Sequence, residues 1–186
     1  MELQIRKCRG NTLMKNISLI NGYSIKSVCI DSYNSVEKLC KNCSDYYILH
    51  NGIAASKKDI DEIFIDLPPN KNYEDKFVLG IYNIDNELVG IVDIVKDFPN
   101  VGEWIIGLML IKPNERSNGI GKILHRSLVE WAINSGAKSF RIGVVEDNHK
   151  GINFWCALGY KKIKEVNMNF TAKAHVVNVM TLKFYD

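Results

Sequence analysis

Between Trp104 and Ile111 the chain is apolar at almost every position. A continuous run of that length, closed by polar loop residues, reads as a central strand buried on both faces. Two shorter apolar runs, 77–82 and 88–95, flank a polar pentapeptide from Asn83 to Glu87, which predicts a hairpin. Downstream the period lengthens. Ile120, Ile123, Leu124, Leu128, Trp131 and Ala132 fall on one stripe of a helix over 119–135, which Gly136 ends. A strand over 139–145 follows, then a short helix over 150–158 stopped by Gly159, then strands over 160–168 and 175–184 that form a closing hairpin.

The first seventy residues are more helical. Val36, Leu39 and Cys40 keep helical spacing, so one helix is expected over 35–51, with Ser35 as its N-cap and Asn51-Gly52 as its stop. A second is expected over 57–66, before the breaker Pro68-Pro69. Short strands at 17–20 and 23–30 precede them.

The most chemical stretch joins the central strand to the long helix. After Ile111 come Lys112 and Pro113, then Arg116, Gly119, Gly121 and Lys122. A glycine-rich loop that opens a helix aims free backbone N–H groups and the positive end of the helix dipole at one point, which suits a phosphate or pyrophosphate. A Walker A loop is excluded, because Ile123 replaces its hydroxyl and Arg116 its first glycine. The dinucleotide fingerprint is excluded because its third glycine would fall on Leu124.

What remains, Arg116-x-x-Gly119-x-Gly121, resembles the pyrophosphate loop of the GNAT superfamily of N-acetyltransferases, [QR]-x-x-G-x-[GA]. A second stretch resembles that family's N-x-x-A-x-x-F-Y-x-x-x-G-[FY]. It matches at Asn148, Phe154, Gly159 and Tyr160, and departs at Gly151, usually Ala, and Trp155, usually Tyr. The resemblance covers about residues 77–166. It implies an α+β fold with a mixed, mostly antiparallel sheet of six to seven strands, helices on both faces and a splayed strand pair for CoA. The chain then reads as one domain over 1–186, with 1–70 on the acceptor side, 77–166 as the acetyl-CoA-binding core and 167–186 as a C-terminal hairpin.

The resemblance also implies the site. Met109, Leu110 and Ile111 would offer their backbone to the pantetheine arm. Arg116, Ser117, Asn118, Gly119, Ile120, Gly121 and Lys122 would hold the pyrophosphate. Asn148 would hydrogen-bond the pantetheine, and Trp155 would stand beside the thioester. The implied reaction moves an acetyl group from acetyl-CoA, the co-substrate, to an amine, with no metal. An alkyl amine has a pKa of about 10, so a base must remove a proton. Glu103, at the entrance to the central strand, is the candidate. It shares a face with Ile105, Gly107 and Met109 if the strand is regular, and a bulge would break that parity. Glu146 and Asp147 are alternatives. Trp155 cannot release a proton as the usual tyrosine can, so departure of the thiolate needs water or another residue such as Tyr160. His125 is expected on the helix surface.

Composition changes little in this picture. The net charge of +3 is spread along 186 residues, so no nucleic-acid face is indicated, and no apolar run is long enough to cross a bilayer. The first residues lack a signal-peptide core, which reads as cytoplasmic. Five cysteines without framework spacing read as reduced thiols, Cys40 and Cys43 sharing one helix face. A small-molecule amine is the expected partner, with a homodimer left open. A non-catalytic CoA-binding domain and a peptide N-terminal acetylase are the alternatives.

Overall fold

The computed structural model describes residues 17–19 and 22–185. Cys8, Ile20 and the N-terminal residues read above for targeting lie outside them. The described strands form one eight-stranded sheet in the order β1-β2-β3-β4-β5-β6-β8-β7. They are β1 (Ile17–Ser18), β2 (Ser24–Ser27), β3 (Lys76–Tyr82), β4 (Leu88–Val95), β5 (Glu103–Ile111), β6 (Ser139–Val145), β7 (Lys161–Asn169) and β8 (Ala174–Lys183). Every pairing is antiparallel except β5 with β6. That parallel pair needs a crossover, which α4 (Ile120–Asn134) supplies.

Helices cover both faces. On one, the apolar stripe of α4 and Trp155 of α5 (His149–Ala157) pack on Phe77, Leu79, Trp104 and Ile106. Trp104 stacks on Phe77 at 5.8 Å between centroids and meets Trp131 edge-on at 5.2 Å. The other face, with Leu88, Ile91 and Leu110, is covered by α1 (Tyr33–Asn42), α2 (Ser44–Asn51) and α3 (Lys57–Ile65). Both faces of β5 are thus buried, the reason its sequence is an unbroken apolar run.

The single helix expected over 35–51 is two. Cys43 leaves the helical region at φ −93°, ψ 33°, and α2 starts afresh at Ser44. The break lets Cys43 Sγ reach the carbonyl of Ile111 at 3.6 Å, and Cys40 and Cys43 are both buried. Asn51-Gly52 ends α2 as read, with Gly52 at φ 78°. A reciprocal Ser56–Asp59 capping box starts α3.

Candidate active site

β5 and β6 run side by side only from Glu103↔Ser139 to Ile106↔Ile142. Beyond that pair β5 continues to Ile111 on β4, and β6 to Val145 on β8, with no ladder between them. From Gly107 onward the β6-facing edge of β5 therefore meets no strand. Backbone polar groups left in this way need a partner. A cavity of about 1010 Å³ opens along this edge, and its wall includes Gly107, Met109, Leu110, Ile111 and, across the gap, Gly143 and Val144.

The parting coincides with a bulge. Asp93 opposes Leu108 and Ile94 opposes Ile106, so Gly107 has no counterpart on β4. The extra residue reverses the facing of everything after it. Trp104 and Ile106 share their face with Met109 and Ile111, while Leu108 and Leu110 look toward the opposite helices. The regular parity that joined Glu103 to Met109 is corrected accordingly.

At the mouth of the cavity lies the glycine loop. Gly119 has φ 79° and serves as the N-cap of α4, and a Cβ there would meet nothing within 4 Å. The next N–H groups to find a backbone acceptor are those of Lys122 and Ile123, both on Gly119 O at 3.1 Å. Among the described residues the N–H groups of Ser117, Asn118, Gly119, Ile120 and Gly121 meet no backbone carbonyl. Free amides at the positive end of a fifteen-residue helix suit an anion. Ser117, Gly119, Ile120, Gly121 and Lys122 all belong to the wall, whereas exposed Asn118 does not.

Arg116, also on the wall, is engaged by protein groups. Its Nε donates to Ile111 O at 2.6 Å, and its two terminal nitrogens grip the Asp45 carboxylate at 2.5 and 3.2 Å. The hydrogen bond from Arg116 holds the Asp45 carboxyl below the usual range. On the cavity wall this side chain joins α2 to the loop, and it occupies the carbonyl of Ile111.

The comparisons with known proteins agree with this geometry. Residues 44–160 match the family model described as the acetyltransferase (GNAT) family. The chain belongs to the GNAT acetyltransferase family. A search of curated proteins finds no significant match. The fold is that of solved GNAT structures. The GNAT domain of S. lividans PAT superposes with a TM-score of 0.68 at 15% identity, covering 94% of this chain and 99% of that one. The ribosomal-protein-S18-alanine N-acetyltransferase from Escherichia coli gives 0.66 at 12%, covering 88% and 95%. Spermidine N-acetyltransferase from Vibrio cholerae, solved with CoA and spermine, gives 0.67 at 11%, covering 87% and 95%.

Asn148, Gly151, Phe154 and Trp155 of the second GNAT signature line the far wall. Asn148 caps α5, its Oδ1 accepting from Gly151 N–H at 2.9 Å. An alanine at Gly151 would place its Cβ 2.7 Å from Asn148 Nδ2. The departure from the family's alanine thus allows the Asn148 side chain to fold over the first turn. Trp155 is both wall and core: it lines the cavity and packs edge-on against His125, Phe154 and Tyr160. Tyr160 is buried, its hydroxyl 3.0 Å from His125 Nε2, and is not part of the wall. His125 is not on the surface. It is 4% exposed, and burial lowers its pKa to about 4.

Glu103 is not brought to the site. It opens β5 at the paired end, takes Arg141 at 3.0 Å and Asn100 at 3.0 Å, and is absent from the cavity wall. The three residues between it and the parted segment separate it from Gly107 by about 13 Å along an extended strand. Its ion pair explains it as a brace between β5 and β6. Glu146 is exposed, whereas Asp147 reaches the wall.

The individual residues that α2 brings to the cavity wall, Asp45, Tyr46, Leu49 and His50, were not picked out from the sequence. The tip of the β7–β8 hairpin is lashed to the end of that helix. Ala172 N–H donates to Asn51 O at 3.1 Å, Lys173 Nζ to the carbonyls of Ile48 and Leu49 at 3.3 Å, and His175 Nε2 lies 3.1 Å from His50 O. Cations at the carbonyl end of a helix are favourable. Beneath the bulge, a Cβ at Gly107 would sit 3.6 Å from Asp93 Oδ2. That oxygen accepts from buried Lys76 at 2.7 Å, while Asp93 Oδ1 has no hydrogen-bond partner among the described residues. No pattern along the chain links residues so far apart.

Proposed function

We propose that this GNAT protein transfers an acetyl group from acetyl-CoA to the primary amine of a small molecule, by direct attack while both substrates are bound. The observation that carries the reading is the edge of β5 that β6 leaves unladdered from Gly107 onward, with a loop beyond it whose amides, Ser117 to Gly121, meet no backbone carbonyl among the described residues. The residues fit the co-substrate. The edge of β5 offers main-chain groups to the amide-bearing arm, and the amides of Ser117 to Gly121 suit the pyrophosphate. Asn148 keeps Nδ2 for a carbonyl while its Oδ1 caps α5. A backbone N–H of the parted strand would stabilise the oxyanion as the amine attacks the thioester. The thiolate, with a free pKa of about 8.5, is a fair leaving group.

The lashed hairpin favours a small acceptor. An extended polypeptide would need an open groove between α2 and the β7–β8 tip, where three residues of the hairpin bond to the last turn of α2. A second reading, CoA binding without catalysis, is favoured by Trp155, which cannot protonate the departing thiolate. Thiol release from acetyl-CoA over a panel of amines separates the two. Amine-dependent release supports transfer. Tight CoA binding with no release under any amine supports the second reading.

A further inference from the structure

Of the other carboxylates and imidazoles that line the cavity, Asp45 is held by Arg116, Asp147 stands largely in solvent, 3.6 Å from His175 Nδ1, and His149 is exposed at the start of α5. His50 differs from all three. Neither of its ring nitrogens makes a hydrogen bond among the described residues, although the ring borders the cavity. Its orientation is fixed by neighbours: Tyr46 stacks on it at 4.4 Å and Phe170 meets it edge-on at 5.2 Å. The last turn of α2 is itself anchored, since His175 bonds the His50 carbonyl and faces Asp147 with its other nitrogen. Burial, with a smaller contribution from His175, lowers the His50 pKa to about 4. The ring is therefore neutral at pH 7, with one lone pair free.

We propose that His50 is the base that takes the proton from the attacking amine nitrogen. This rests on the acetyl-transfer reading above. The amine enters uncharged, and its nitrogen bonds to the thioester carbonyl carbon. The C–S bond then breaks and the sulfur leaves with the electron pair. The nitrogen proton passes to the imidazole, and the imidazolium returns it to water or to the thiolate, so amine and thioester become amide and thiol. As the N–C bond forms, the nitrogen gains positive charge and becomes far more acidic than a free ammonium ion, so a weak base suffices. The desolvation that weakens His50 as a base also makes its imidazolium quick to release the proton. That return supplies the acid that Trp155 cannot.

The test uses the full chain and an amine that the wild type accepts in the panel. His50→Gln and His50→Ala are expected to lower kcat by about 10²- to 10⁴-fold while CoA affinity by calorimetry and near-ultraviolet circular dichroism stay unchanged. Added imidazole should restore His50→Ala in proportion to its free-base concentration, which a purely structural role would not produce. Wild-type kcat in a folded His50→Gln variant overturns the assignment, as does a folded His50→Ala variant that imidazole leaves inactive. A wild type that releases no thiol with any amine overturns the acetyl-transfer reading and this one together. An active wild type with an equally active His50→Gln overturns this one alone.

Discussion

Replacing Gly119 by valine tests the anion site without touching the core. The residue sits at φ 79°, where a β-branched side chain is strained by about 1–2 kcal/mol. Nothing lies within 4 Å of the added Cβ, so the variant should fold with only that penalty. Its methyl groups would occupy the open side of the loop, in front of the amides. Keeping the pyrophosphate from two of those N–H groups removes two hydrogen bonds to a charged group, about 1.5–3 kcal/mol each. The sum, about 3–6 kcal/mol, is a loss of roughly 10²- to 10⁴-fold in affinity. Calorimetric titration with CoA reads it, and a urea melt reports the strain. Gly119→Ala carries similar strain with less obstruction and should lose less affinity. A folded Gly119→Val variant with wild-type CoA affinity would refute the assignment of the phosphate to this loop.

Arg116 should act through position. Arg116→Ala is expected to weaken CoA binding by about 1–2 kcal/mol, and Arg116→Lys to do little better in the same titration, because an ammonium cannot serve Ile111 O and both Asp45 oxygens. Gly151→Ala should gain about 1 kcal/mol of helix propensity and lose about 1 kcal/mol of capping as Asn148 is pushed aside; the expected result is near-wild-type stability by urea melt with weaker CoA binding. Buried His125 makes the fold acid-sensitive. Its folded pKa of about 4 lies below the ordinary 6.5, so its stabilising contribution is complete above pH 6.5 and is lost as pH falls from there toward 4. Between pH 7 and 5 that is about 2 kcal/mol, and urea midpoints should show the drop shrinking by that amount in His125→Phe/Tyr160→Phe, which removes both ends of the bond.

The sheet and α4 were legible because burial sets composition and period there: β5 is apolar on both faces and α4 carries a clean stripe. The glycine loop was legible because its amides depend on residue type. Features that turn on a single residue were not. The break at Cys43 leaves the spacing of Val36, Leu39 and Cys40 untouched. The bulge at Gly107 shifts parity without altering hydrophobicity, since Leu108 and Met109 suit either face. His125 did carry a signal, lying between Leu124 and Leu128 at the spacing of the buried stripe. Glu103 attracted attention as an acid at a strand entrance, but its partner Arg141 comes from the next parallel strand. His50 and His175 are 125 positions apart, and only the return of β8 beside β6 brings them together.

Acetyl-CoA labelled with ¹³C at the carbonyl, incubated with the protein and a mixture of small primary amines and short peptides, tests the central claim most directly. Mass spectrometry should find the label as an N-acetyl group on a small amine, with one free CoA thiol for each amide formed and none on the peptides. Label that remains on CoA, passes to free acetate at the same rate without amines, or appears on peptide N-termini instead would contradict the account.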